Sequence, residues 1–251
     1  MKYLFIAFIF FACRDISHFN GTPEISTETL DTIKTTKAII DATPVIFESA
    51  FIKGTSEKRN GSTVNFYGVT IGKLKITSGH IIACDPMHID EYGKPFTKVF
   101  PTGEFPVQLS IAQFDFEEKI AFARINFSDE PVAKWEFALL EGQPPIAIGG
   151  DKMHGYSVDA GVGVFIDEEA NKALNRDSVT RMGEGIYPEM DKHYHNTWRY
   201  AMYNFGKHNL AAFSSGDGDG YYATYIGFDA KGKPCRLLTD FNLFDWSRNI
   251  K

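Results

Sequence analysis

The chain has 251 residues, 43% hydrophobic and 23% charged, with a formal net charge of −6. That composition excludes a disordered chain, which lacks the apolar residues needed to fill a core. The acidic balance, with no clustered run of Lys and Arg, argues against binding nucleic acid through its phosphates. With 22 Phe and 11 Tyr, the chain favours sheet, because aromatic side chains pack well on a pleated surface.

The N-terminus carries the sharpest local signal. Met1-Lys2 is followed by ten uncharged, mostly apolar residues, Tyr3 to Ala12, and then by Cys13. One positive residue before a short apolar run is the layout of a secretory signal peptide, expected over residues 1–12. A membrane-spanning helix needs about 20 apolar residues, so the run is too short to span. A small residue directly before a Cys resembles the lipobox of bacterial lipoproteins. The resemblance implies cleavage before Cys13, acylation of Cys13 and attachment to the cell envelope through lipid alone, on its periplasmic or extracellular face. The alternative is an N-terminal buried strand or helix of a cytoplasmic protein. Residues 13–40, rich in Ser, Thr, Asp and Glu, read as a polar tether, or as a surface arm packed on the domain.

From residue 44 the pattern turns to strands, and the apolar run Pro44 to Ile52 opens a domain expected over 41–251. Thr63 to Lys75 is β-branched and aromatic, and Gly79 to Cys84 is a short buried strand ended by Asp85-Pro86, since Pro cannot donate to a ladder. Gly103 to Phe116 alternates, with Phe105, Val107, Leu109 and Ile111 on one face. Lys119 to Phe127 alternates again, with Ala121, Ala123, Ile125 and Phe127 sharing a face. The intervening Glu117-Glu118 suits a hairpin connection. Further strands are expected around Trp135 to Leu140 and over Tyr156 to Phe165. Asp167 to Asn175 reads as a helix, with Asp167 able to cap it and Glu168 and Glu169 suiting its positive first turn. Residues 176–208 are polar and aromatic with helical turns. Asn209 to Phe213, Tyr221 to Phe228 and Pro234 to Phe241 close the chain as strands, the last two joined by a turn-rich Asp229 to Lys233. No internal repeat or linker interrupts residues 41–251. These elements predict an α+β fold: a single β-rich domain, mainly antiparallel sheet with a few short helices.

With Cys13 acylated, Cys84 and Cys235 remain. Export permits a disulfide between them, while their apolar neighbours suit buried free thiols equally. Neither Cys-x-x-Cys nor zinc-ligand spacing is present.

Five segments in order resemble the bacterial domain-of-unknown-function family 4241: Thr77 to Pro86, Pro101 to Val107, Val158 to Asp167, Phe213 to Tyr221 and Leu237 to Phe241. The resemblance spans roughly residues 60–246, and the family carries no assigned activity. Similar acidic, Gly-rich domains occur among immunity proteins of bacterial toxin systems, an analogy of fold and style.

The strongest chemical candidate is Ser214-Ser215-Gly216-Asp217-Gly218-Asp219-Gly220. Two Asp two residues apart can hold a hard cation such as Ca2+. The segment lacks the remaining ligands of a calcium-binding helix-loop-helix, and a tight loop with Asp bonded to its own backbone is the plainer reading. Asp85, Asp159, Asp167 and Asp240 recur at strand ends. Together with Ser214, Ser215, Asp217 and Asp219 they form a candidate acidic site for a divalent metal or for general acid and base chemistry. Capping is the ordinary job of Asp at such positions. His193 and His195 share a face if their segment is a strand, which suits one metal; solvation is their ordinary state. His18, His88, His154 and His208 have no ligand spacing. Cys84, near His80 and His88, is a possible nucleophile quieted by its apolar neighbours. No Gly-x-Ser-x-Gly elbow, phosphate loop or dinucleotide fingerprint occurs, although Gly161 to Gly163 offers a Gly-rich turn. Trp135, Trp198 and Trp246 read as core or rim aromatics.

Two functions follow as expectations. The first is an envelope-anchored binding or protein-interaction domain, of immunity type or another, with a membrane bound through lipid and a protein partner. The second is a metal-dependent hydrolase using the acidic Gly-rich site. An enzyme requires the carboxylates to converge in one concave pocket. A binding module requires a flat or apolar exposed patch instead.

Overall fold

The computed structural model describes residues 44–249. The expected signal peptide, Cys13 and the tether to residue 40 lie outside the described residues. Two antiparallel sheets build the domain. The first runs β1 (Ser56–Arg59), β2 (Ser62–Ile76), β4 (Gly103–Gln113), β5 (Glu118–Asn126), β13 (Pro234–Asp240), β12 (Gly220–Phe228), β6 (Lys134–Phe137), with β7 (Tyr156–Val158) also paired to β12. The second runs β3 (Ile81–Cys84), β8 (Val162–Asp167), β11 (His208–Ser214), β10 (Trp198–Phe205), β9 (Tyr194–His195). Helices are short: α1 (Ile46–Ser49), α2 (Ile89–Tyr92), α3 (Glu168–Ala173), α4 (Asp177–Thr180) and α5 (Ile186–Asp191). This is the expected α+β domain, β-rich and antiparallel with few helices.

The sheets face each other across the main core, and sequence alternation decides which residues fill it. In β4, Val107, Leu109 and Ile111 are fully buried there, with Phe105 packed on them. Strand β2 changes parity part-way. Tyr67, Val69 and Ile71 face the core, then Leu74 and Ile76, because the pairing with β4 shifts between Thr70 and Gly72. A bulge inserts one residue and so restores the same face beyond the irregularity. Gly72 (φ +148°) sits at that shift, where a Cβ would lie 2.7 Å from Cγ of Met202 on β10. Strand β5 also slips in register, opposite Ser110/Ile111. Ala123, Ile125 and Phe127 face the main core as expected, but Ala121 turns to the outer face.

Each sheet is covered on its outer face. Against the first, Phe47 of α1 packs on Phe122, Trp135, Tyr225 and Trp246 at ring-centroid distances of 5.8, 5.2, 4.9 and 4.9 Å. Against the second, Ala170, Ile186 and Met190 of the helices cover Ile82, Val164 and Ala201.

Three expectations need correction. Pro44 to Ile52 forms α1 rather than a strand, since one buried helical turn presents Phe47 and Ala50 to the sheet. Tyr156 to Phe165 is two strands in different sheets, not one. Its break is held by Asp85, whose carboxylate accepts from the Asp159 and Ala160 amides at 2.8 and 3.1 Å. Within 176–208 the expected helical turns form as α4 and α5, but Trp198–Phe205 is in addition a full strand, β10, of the second sheet. Cys84 and Cys235 are both buried free thiols. Burial pushes the Cys84 thiol far above its ordinary pKa, which removes its nucleophilic character.

A charged cluster lies under α1. Glu48 accepts from Arg124 Nη1 at 2.9 Å and lies 3.3 Å from Arg236 Nε. The Arg124 guanidinium also covers the Phe51 ring at 3.8 Å. Burial pulls Arg124 down to about 10, with Glu48 opposing and Arg236 adding to the pull. Glu48→Gln keeps the shape but leaves two largely buried guanidinium groups facing each other. Because Glu48 keeps some solvent contact, the expected loss is about 1–3 kcal/mol, below that of a fully buried pair. Urea unfolding of the two proteins measures it.

Candidate functional site

The candidate acidic residues are built into the fold one at a time. Asp85 ends β3 and is buried; Oδ1 accepts from the Met87 amide at 2.7 Å, capping the turn Pro86–His88. Its other oxygen holds the 159–160 bend. Asp159 is exposed and its carboxylate lies 3.2 Å from His88 Nε2, while Asp85 reaches Asp159 only at its backbone amide. Asp167, at the far end of β8, is fully buried and caps α3 through the Glu169 amide at 3.1 Å. It also accepts from the amides of Thr77 and Ser78 at 3.1 and 2.9 Å and from their hydroxyls at 2.8 and 2.7 Å. Burial would raise its pKa, but the Ser78 and Thr77 hydrogen bonds outweigh that and hold it below the usual carboxylate range.

In the Gly-rich loop, the Ser215 hydroxyl donates to the Gly218 carbonyl at 2.8 Å, and the Ser215 amide donates to Gly161 at 3.0 Å. That bond joins the loop to the bend that Asp85 holds. Ser214 Oγ accepts from the Arg199 amide at 3.1 Å. Asp217 is paired with Arg59 at 2.8 Å and Lys119 at 2.6 Å. Burial pushes its pKa upward, yet those two cations bring it below the ordinary value. Asp219 is exposed. Asp240 ends β13 and faces outward from the first sheet beneath Trp246, whose indole donates to it at 2.6 Å; the Asn242 amide donates at 2.8 Å.

The sequence set therefore divides. Asp85, Asp159, Ser215 and the loop bearing Asp217 belong to one end of the sheets. Asp167 occupies the opposite end of β8, about 16 Å away at strand rise. Asp240 belongs to the outer face of the first sheet. Among the described residues, no three His, Cys, Asp or Glu side chains gather as a metal-ligand group. The His193 and His195 rings stack on aromatic neighbours, His193 on Tyr200 at 4.8 Å and His195 on Trp198 at 4.8 Å.

The residues that sequence reasoning passed over line a cavity of about 270 Å3 between the sheets. Ala83, Phe96, Ala138 and Leu140 form its apolar wall, with Tyr156 and Thr224 as polar members and Tyr92, Lys94, Gln143 and Tyr221 among the rest. Tyr156 is 9% exposed and its hydroxyl has no hydrogen-bond partner; Thr239 lies near it without completing one. That hydroxyl rests over Gly163, where a Cβ would come within 2.9 Å of it. Thr224 and Thr239 share a hydrogen bond at 2.9 Å. At the mouth, the Tyr221 hydroxyl accepts from the Gly155 amide at 2.9 Å. More open hollows lie beside Asp240 and Trp246 (310 Å3) and between the hairpin turns at Asn60 and Phe116 (450 Å3). The sequence signal for the cavity was the small side chain of Ala83 within β3 and of Ala138 just beyond β6, each among bulkier neighbours.

Fold and site together define a two-sheet antiparallel α+β domain with an inter-sheet cavity and structurally engaged carboxylates. The chain belongs to the family described as "Protein of unknown function (DUF4241)", whose model matches residues 74–239. No curated protein and no solved structure matches it. Among the described residues no helix is long and apolar enough to cross a membrane.

Proposed function

We propose that this chain is a non-catalytic binding domain carried on the cell envelope by a lipid on Cys13. One observation carries the binding part: the buried carboxylates Asp85, Asp167 and Asp240 each accept backbone or indole hydrogen bonds that hold turns and caps. Asp167 accepts from five donors and Asp85 from three, and a carboxylate so committed is a poor base, since protonation would break the bonds that anchor it. The inter-sheet cavity supports the same reading. Its wall is apolar, and its polar members are hydroxyls, amides and one amine rather than a carboxylate pair. Such a lining suits recognition. The narrowness of the cavity favours a small ligand over an immunity-type protein partner as its occupant. The anchor rests on the sequence of residues 1–13.

Intact-mass spectrometry with elemental analysis, on the full chain expressed in a bacterial host, tests the proposal. A mature mass beginning at acylated Cys13 and no stoichiometric metal is the expected result. A mass beginning at Met1 would remove the envelope anchor. Stoichiometric bound metal would put the hydrolase reading in its place.

A further inference from the structure

We infer that the inter-sheet cavity binds a compact, ring-containing carboxylic acid, with its ring between the sheets and its carboxylate at Lys94 and Tyr221. This deepens the binding reading and rests on it.

Size comes first. An apolar protein cavity of about 150 Å3 admits benzene. At about 270 Å3, this one has room for a single substituted ring or a small fused pair. Shape and chemistry agree: Phe96, Ala138 and Leu140 offer an apolar surface to a ring face, and the small Ala83 side chain leaves the depth open.

The polar groups fix the ligand's orientation. Lys94 lies at the exposed rim and has no carboxylate within ion-pairing distance among the described residues. Tyr221 Oη already accepts from the Gly155 amide, so its own proton is free to be donated outward. An ammonium and a phenol proton at one mouth form a donor pair for an anion. Deeper in, the Tyr156 hydroxyl lacks a partner although it is buried. A buried hydroxyl left unpaired is costly and native structures rarely tolerate one, so its natural complement is a polar atom of a ligand. Burial keeps the Tyr156 phenol well above its ordinary pKa, so it stays protonated and able to donate. A ring acid with a para hydroxyl or carbonyl spans both ends.

The test uses 4-hydroxybenzoate as probe, with 4-hydroxybenzyl alcohol as the uncharged comparator, titrated calorimetrically into the full chain. The acid is expected to saturate one site and to bind about tenfold tighter than the alcohol, the worth of a charge-assisted hydrogen bond. Lys94→Met should remove that preference while leaving the alcohol's affinity unchanged. Ala138→Leu, which fills the cavity, should abolish binding of both while cooperative unfolding is retained. Tyr156→Phe should weaken the acid severalfold without lowering the unfolding temperature, a pattern that a packing role for the hydroxyl would not give. No saturable binding of the acid, or binding that survives Ala138→Leu, overturns the inference. Equal affinity for acid and alcohol overturns its carboxylate part and leaves the binding reading standing. Conversion of the probe into a new product, by contrast, overturns the non-catalytic reading itself.

Discussion

Asp167→Ala is expected to lower unfolding stability by about 3–5 kcal/mol, the range for removing one partner from a buried, fully bonded charge network. Five donors lose their acceptor at once: the amides and hydroxyls of Thr77 and Ser78, and the Glu169 amide that starts α3. The first four come from the segment between β2 and β3, so the change unties the crossing from the first sheet to the second. Chemical denaturation measures the loss. Its pH dependence has a definite sign. Because the folded pKa is depressed, the carboxylate stabilises the protein above its unfolded value of about 3.9, and that share is lost as pH falls through the lower folded value. The gap between wild type and Asp167→Asn should therefore be widest near neutrality and narrow in acid. A gap that does not vary with pH would mean that the charge of Asp167 is unused.

Asp240 should behave in the opposite way. Burial pushes its carboxyl up to about 6, against which the Trp246 indole and the Asn242 amide pull down. Nearby, the Tyr225 phenol is raised by its own burial and then by Asp240, and Lys152 and Asp245 line the same hollow. With a raised folded pKa, the folded chain holds this proton where the unfolded chain has released it. Its contribution is greatest below the unfolded value of about 3.9 and is lost as pH rises through about 6. The shift of about two units corresponds to about 3 kcal/mol across that window. Comparing wild type with Asp240→Asn isolates the effect from Asp167 and Asp217. The asparagine variant should hold level or gain at pH above 7, and fall behind wild type progressively between pH 6 and 4. Loss of the same size at every pH would contradict a raised carboxyl.

Much of the sheet was legible because its strands keep one face inward. β4 shows Phe105, Val107, Leu109 and Ile111 at every second position, and its register follows. The α3 cap was legible too: Asp167 before Glu168 and Glu169 is local chemistry, and it stands as read. β10 was missed because it is covered on both sides. Trp198 and Met202 turn to the main core while Ala201, Tyr203 and Phe205 turn to the helices, so no alternation survives to be read. The break after Val158 was missed because its cause lies at Asp85, more than 70 residues earlier. The acidic candidates share strand ends in sequence, but strand direction and register decide which ends meet, and these sent Asp167 and Asp240 elsewhere. The cavity was illegible for the same reason: its lining comes from five separated segments that only the stacking of two sheets brings together.

A 13C carboxyl NMR titration of the full chain tests most directly whether these carboxylates are separate parts of the fold or one reactive site. Separate roles predict single-site curves unaffected by added Ca2+, with Asp167 and Asp217 titrating below the ordinary range and Asp240 near 6. Biphasic curves shared among Asp159, Asp167, Asp217 and Asp219, moving together when Ca2+ is added, would contradict the account and point to a common acidic site.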